Sequence, residues 1–185
     1  FSDAFAGKSS IKTQLPFYTT NDNVNVFAGR FSYPGTTVGM VSDWTAVFNA
    51  KTGALTSYIV NGMEMIAAPL LPGFGRAPTE NDIGAKLNEK MKMWQYPQLE
   101  VSSFDVKEMT DSYMVTVVFK PIEGKAEVIV KYYVFGDGSI AGVESMKDAG
   151  GLSECPMLFR FGMEMGMKGD FSDLDFYGKG PWENY

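Results

Sequence analysis

Val128-Ile-Val-Lys-Tyr-Tyr-Val-Phe135 runs directly into Gly136-Asp-Gly-Ser139 and then into Ile140–Lys147. The first run is rich in β-branched and aromatic residues and is apolar on both faces, which predicts a central strand of a sandwich. Gly-Asp-Gly-Ser is turn chemistry, so strand Lys125–Phe135 folds back on its successor. The same two-residue period recurs outward from this point. Trp44, Ala46 and Phe48 alternate along one segment, and Phe161, Met163, Met165 and Met167 along another. In the second, the intervening positions are Gly162, Glu164, Gly166 and Lys168. Lys51-Thr52-Gly53 separates Trp44–Asn49 from Ala54–Val60, and Asn61-Gly62 is a strong hairpin signal before Met63–Ile66. Asp111-Ser112 precedes Tyr113–Lys120. One short helix is expected, over Ala85–Trp94, with Lys86, Glu89, Lys90 and Lys92 on its solvated face. Many short strands joined by tight turns predict an all-β fold, an antiparallel β-sandwich. Residues 1–22 show no clear period and are expected to be a lead-in segment, with the sandwich domain over 23–185.

Composition narrows the function. The chain has 185 residues and a net charge of −6, which argues against nucleic acid because phosphate binding needs a basic surface. No apolar run approaches the length of a membrane-spanning helix. There is no histidine, so histidine acid–base chemistry, a Ser-His or Cys-His pair and a histidine-ligated zinc site are all excluded. The single cysteine, Cys155, excludes an internal disulfide. No metal site and no cofactor are expected, and nothing assigns a compartment. The 12 methionines read mostly as core filler.

Two constellations carry polar chemistry. The first is Gly75-Arg-Ala-Pro-Thr-Glu-Asn-Asp-Ile-Gly84. Pro72 and Pro78 cannot donate to a sheet ladder, which places this stretch in a loop or at an edge. Arg76 offers a planar fork that a carboxylate, Glu80 or Asp82, can grip with both oxygens. Asn81 can hold the turn through its own backbone, and Gly84 permits a sharp change of direction. Either the Arg–carboxylate pair staples the loop, or the amide and carboxylates face a sugar. The second constellation is Tyr177-Gly-Lys-Gly-Pro-Trp-Glu-Asn-Tyr185, approached through the strand-like Asp173–Tyr177. Trp182 and Tyr185 could stack on a sugar ring while Glu183 bonds its hydroxyls, or they could anchor a core or a domain interface. A retaining glycosidase needs two carboxyl groups about 5–5.5 Å apart across the scissile bond. Nothing in the spacing sets Glu183 against Glu80 and Asp82, so no catalytic residue is assigned.

In this order, the two constellations resemble the C-terminal, small-chain type domain of glycoside hydrolase family 2 β-galactosidases. The family carries Arg-Ala-Pro-x-Asp-Asn-Asp-x-Gly, matched by Arg76–Gly84, and later aromatic-Gly-x-Gly-Pro-x-Glu-x-Tyr, matched by Tyr177–Tyr185. The turn at Lys51–Ser57 is also similar to one that precedes the first motif. The resemblance covers roughly residues 38–185. Glu80 stands where the family usually has Asp, Gly75 where an aromatic is common, and Lys179 where Arg is common. The resemblance implies the first part of a galactose-mutarotase-like supersandwich, cut short at its C-terminal end. It also implies a non-catalytic accessory role beside a (β/α)₈ barrel of the same polypeptide that supplies both catalytic glutamates. The whole enzyme would hydrolyse terminal β-D-galactosides, and this chain alone would be inactive. Arg76, Glu80, Asn81, Asp82, Gly84, Trp182, Glu183 and Tyr185 would then border the sugar pocket. A cut sandwich would leave edges exposed and favour self-association. The alternative from another class is a free-standing carbohydrate-binding module using Trp182, Tyr185 and Arg76.

Overall fold

The computed structural model describes residues 17–19, 24–32, 41–173 and 175. Among these residues there are eleven strands: β1 (Phe17–Thr19), β2 (Val24–Ser32), β3 (Val41–Asn49), β4 (Ala54–Val60), β5 (Met63–Glu64), β6 (Ile66–Pro72), β7 (Val101–Glu108), β8 (Ser112–Phe119), β9 (Ala126–Phe135), β10 (Ile140–Asp148) and β11 (Met163–Met167). They pair antiparallel in two sheets. The larger runs β1-β2-β3-β4-β6-β11, with β5 on β4; the smaller runs β10-β9-β8-β7. This is the expected all-β sandwich. β1 falls within the stretch read as a lead-in segment and pairs with β2.

β9 lies between β8 and β10, as its composition predicts. Val128, Val130, Tyr132 and Val134 are fully buried on its inner face. Its outer face is only partly covered, with Ile129 and Tyr133 half-buried and Lys131 exposed. The two sheets meet through aromatic rings. Phe48 lies 5.1 Å from Tyr132 and 5.7 Å from Phe27, and Phe27 lies 5.5 Å from Tyr113, between ring centroids. Two hydrogen bonds pin the β9–β10 turn to the larger sheet: Trp44 Nε1 donates to the Gly136 carbonyl (3.2 Å) and the Tyr58 hydroxyl to that of Gly138 (2.7 Å).

The turn signals hold. Asn61 and Gly62 both have positive φ, 51° and 79°, which is the left-handed pair that a two-residue hairpin requires. Gly53 has φ 70°, and a Cβ there would stand 2.6 Å from Phe119 and Val117, so the β3–β4 turn admits only glycine.

Three expectations are corrected. The segment Met63–Ile66 breaks at Met65 into β5 and the start of β6. The single helix becomes three short ones, α1 (Glu80–Gly84), α2 (Leu87–Lys90) and α3 (Lys92–Gln95). Helix begins earlier than predicted because Thr79 and Asp82 form a capping box, and it breaks at Lys86, whose φ is 56°. The methionines are not mostly core: among the described residues Met91 alone is buried. The solvated face is as predicted, with Lys86, Glu89, Lys90 and Lys92 all exposed.

Candidate functional site

Arg76 leaves the buried Gly73–Gly75 turn at the end of β6 and meets Asp82, which the first turn of α1 swings back toward it. The contact is bidentate: Nη1 donates to Oδ2 at 2.6 Å and Nη2 to Oδ1 at 3.0 Å. The same Asp82 Oδ2 accepts from the Thr79 backbone N–H (2.7 Å) and hydroxyl (2.9 Å), while Thr79 Oγ1 accepts from the Asp82 N–H (3.2 Å). Behind the knot, Gln95 Nε2 donates to the Arg76 carbonyl at 3.0 Å. The guanidinium also lies 5.3 Å from the Phe159 ring centroid, in cation–π range.

Of the two carboxylates weighed as partners for Arg76, Asp82 is therefore the one. It is buried, whereas Glu80, Asn81 and Gly84 are exposed on α1. The turn is held by Asp82 and Thr79. The sharp change of direction falls on Lys86, while Gly84 keeps a backbone open to other residues and has room for a Cβ. Trp182, Glu183 and Tyr185, with the whole Tyr177–Tyr185 motif, lie outside the described residues.

Hydrogen bonds from the Arg76 guanidinium and the Thr79 N–H outweigh burial and hold the Asp82 carboxyl at about 2, against a usual value of 3.8. A depressed carboxylate stabilises the fold fully above its unfolded value, and that stability disappears as pH falls through the folded value. Asp82→Asn is therefore expected to lower the unfolding temperature at neutral pH. Its deficit should shrink between pH 4 and pH 2, as a thermal melt series across that range would show. A deficit that stays constant down to pH 2 would rule out the ion pair as its source.

Beside the knot lies a cavity of about 520 Å³. Its walls are the end of β6, the Gly73–Gly75 turn, the stretch from Gln95 to Leu99, and Glu164–Gly166 of β11. None of Arg76, Glu80, Asn81, Asp82 and Gly84 lines it; Gly75 and Gln95, which do, connect it to Arg76. Its one carboxylate, Glu164, is held by Arg160. The wall is fixed from behind by Trp94, which is fully buried, donates from Nε1 to the Pro156 carbonyl (2.8 Å) and packs edge-on against Phe74 at 5.8 Å. Thr79, Trp94, Gln95 and Phe159 were not singled out from sequence. Only Thr79 had a local signal, its spacing of three from an acid at the start of a helix.

The family model described as beta galactosidase small chain matches residues 41–185. The chain is 30% identical over 184 residues to a β-galactosidase of Priestia megaterium, covering 98% of this chain and 16% of that protein. It is 31% identical over 146 residues to one of Halalkalibacterium halodurans, covering 77% and 14%. A β-galactosidase of Lactobacillus delbrueckii subsp. bulgaricus is 35% identical over 117 residues, covering 60% and 11%. The chain thus spans about a sixth or less of the length of these relatives.

Proposed function

The chain belongs to the beta-galactosidase small-chain family, and on that premise we propose that it is a non-catalytic accessory domain of a family 2 β-galactosidase. In this reading it packs beside the catalytic barrel of the same polypeptide, helps shape the sugar pocket, and the whole enzyme hydrolyses terminal β-D-galactosides. The observation that carries it is the coverage: nearly all of this chain aligns to a small fraction of a β-galactosidase. The Arg76–Asp82 knot then serves as a rigid mount. It consumes the guanidinium fork and presents the exposed Glu80 and Asn81 outward, with Trp182, Glu183 and Tyr185 completing the pocket border.

The reading is tested with a chromogenic β-galactoside. The chain alone is expected to give no turnover. In the longer enzyme, Glu80→Gln is expected to raise KM by about 2- to 12-fold, the value of one hydrogen bond, with kcat nearly unchanged. An unaltered KM would remove the pocket-border role of Glu80, and turnover by the chain alone would overturn the non-catalytic assignment. Saturable lactose binding by the chain alone would favour a free-standing carbohydrate-binding module instead.

A further inference from the structure

The cavity beside the Arg76–Asp82 knot carries three groups that the core does not use. Tyr96 lines it and is 85% exposed. An aromatic left in water adds little to the packed interior, and its ring is free to serve as an apolar platform with a polar tip. Its place is fixed all the same. It follows the buried Trp94 and then Gln95, whose side-chain amide bonds the Arg76 carbonyl. Gln98, two residues further on, also lines the cavity and is exposed.

Glu164 of β11 is the third. Its Oε1 accepts from Arg160 Nη2, and the Arg160 backbone N–H donates to the Phe74 carbonyl at 3.3 Å, so the pair is tied to the Gly73–Gly75 turn. Gly73 makes the room for it: a Cβ there would stand 2.4 Å from Glu164 Cγ and 2.8 Å from its Oε1. The carboxylate is thus seated against the cavity wall in a neutral pair, with Oε2 available to accept. A bare carboxylate would recruit a cation, whereas a paired one suits a neutral ligand rich in hydroxyls. An apolar ring face with a few convergent polar groups, around a cavity of about 520 Å³, has the size and chemistry of a small-ligand site.

We propose that this cavity binds one saccharide, a pyranose with its C–H face on Tyr96 and its hydroxyls bonded to Glu164 Oε2 and the Gln98 amide. The inference rests on the reading of the chain as part of an enzyme acting on β-D-galactosides and deepens it. It assigns sugar contact to side chains other than those of the Arg76–Gly84 loop.

The test uses the longer polypeptide and a non-hydrolysable probe, methyl β-D-thiogalactoside. Amide exchange is followed over residues 95–99 and 163–167 as the probe is titrated. The expected result is saturable slowing of exchange in both segments. Tyr96→Ala is expected to raise the half-saturating concentration by about 10-fold, the value of a well-placed aromatic contact. Glu164→Gln should raise it by about 2- to 12-fold, the value of one hydrogen bond. Both side chains are exposed, so neither substitution empties the core. No slowing in these segments, equal slowing by glycerol at the same concentration, or a half-saturating concentration unchanged by Tyr96→Ala would each overturn the proposal. Assaying β-galactoside hydrolysis on the same sample separates the two readings. Hydrolysis without slowing removes the saccharide site alone, whereas slowing without hydrolysis removes the enzyme assignment alone.

Discussion

Trp94→Ala is expected to destabilise the fold by about 3–5 kcal/mol, the usual cost of emptying a large buried aromatic site. The indole is fully buried, and its removal leaves Phe74 without its edge-on partner. It also leaves the Pro156 carbonyl without the Nε1 donor. Phe74 in turn stacks on Phe161 at 5.9 Å, so the loss reaches the segment leading into β11. For a domain of this size, each kcal/mol shifts the unfolding temperature by about 2–4 °C, so a fall on the order of 10 °C is expected. Trp94→Phe keeps most of the volume and loses the hydrogen bond, and should fall by much less. A circular-dichroism melt decides: an alanine variant within about 3 °C of the parent would mean that the site collapses freely and that Trp94 holds little. In the longer enzyme the same substitution should disturb the cavity wall, because Gln95 follows Trp94 directly and bonds the Arg76 carbonyl.

The sandwich was legible because its information is local. Alternation along a strand and the glycines at its ends are read within ten residues, and β9, the Asn61–Gly62 hairpin and the Gly53 turn all follow from them. The site was half legible. Arg76 clearly needed a carboxylate, but an extended loop cannot choose between Glu80 and Asp82. The choice comes from α1, which Thr79 nucleates and which turns Asp82 inward and Glu80 outward. Phe159 and Pro156 come from a segment more than 60 residues away, and no local pattern brings them to Arg76 and Trp94. The methionines misled for a similar reason. Period two shows that a face is apolar; whether it is covered depends on how far each sheet extends, and β11 belongs to the wider one.

Glu144→Gln is expected to flatten a fall in stability that the parent chain shows as pH rises from about 5 to 8. Glu144 pairs with Val130 across β10 and β9, diagonal to Tyr132, whose own partner is Gly142. Its side chain thus shares the inner face with the core-packed Ile140 and Met146. Its Oε1 and the Tyr132 hydroxyl are both buried with no hydrogen-bond partner among the described residues. Burial pushes the Glu144 carboxyl up from 4.5 to about 7, and burial together with Glu144 pushes the Tyr132 phenol up. The sign follows from the charged form being the disfavoured one. Below the unfolded value of 4.5 the group costs nothing, and as pH climbs through about 7 the fold must hold an unpaired anion. An undiminished shift of this size corresponds to about 3 kcal/mol, and solvent screening of a half-buried carboxylate reduces it to about 1–2 kcal/mol at pH 8. The glutamine variant should be more stable than the parent by that amount at pH 8 and by only about a quarter of it at pH 5. Tyr132→Phe, which removes the other orphan oxygen, should gain about 1 kcal/mol at both. Urea melts at the two pH values read this directly; a parent chain as stable at pH 8 as at pH 5 would show that the carboxylate is solvated after all. An acid facing inward on an edge strand lowers stability while it discourages edge pairing. The glutamine variant should therefore be more stable at pH 8 and also more prone to associate through β10.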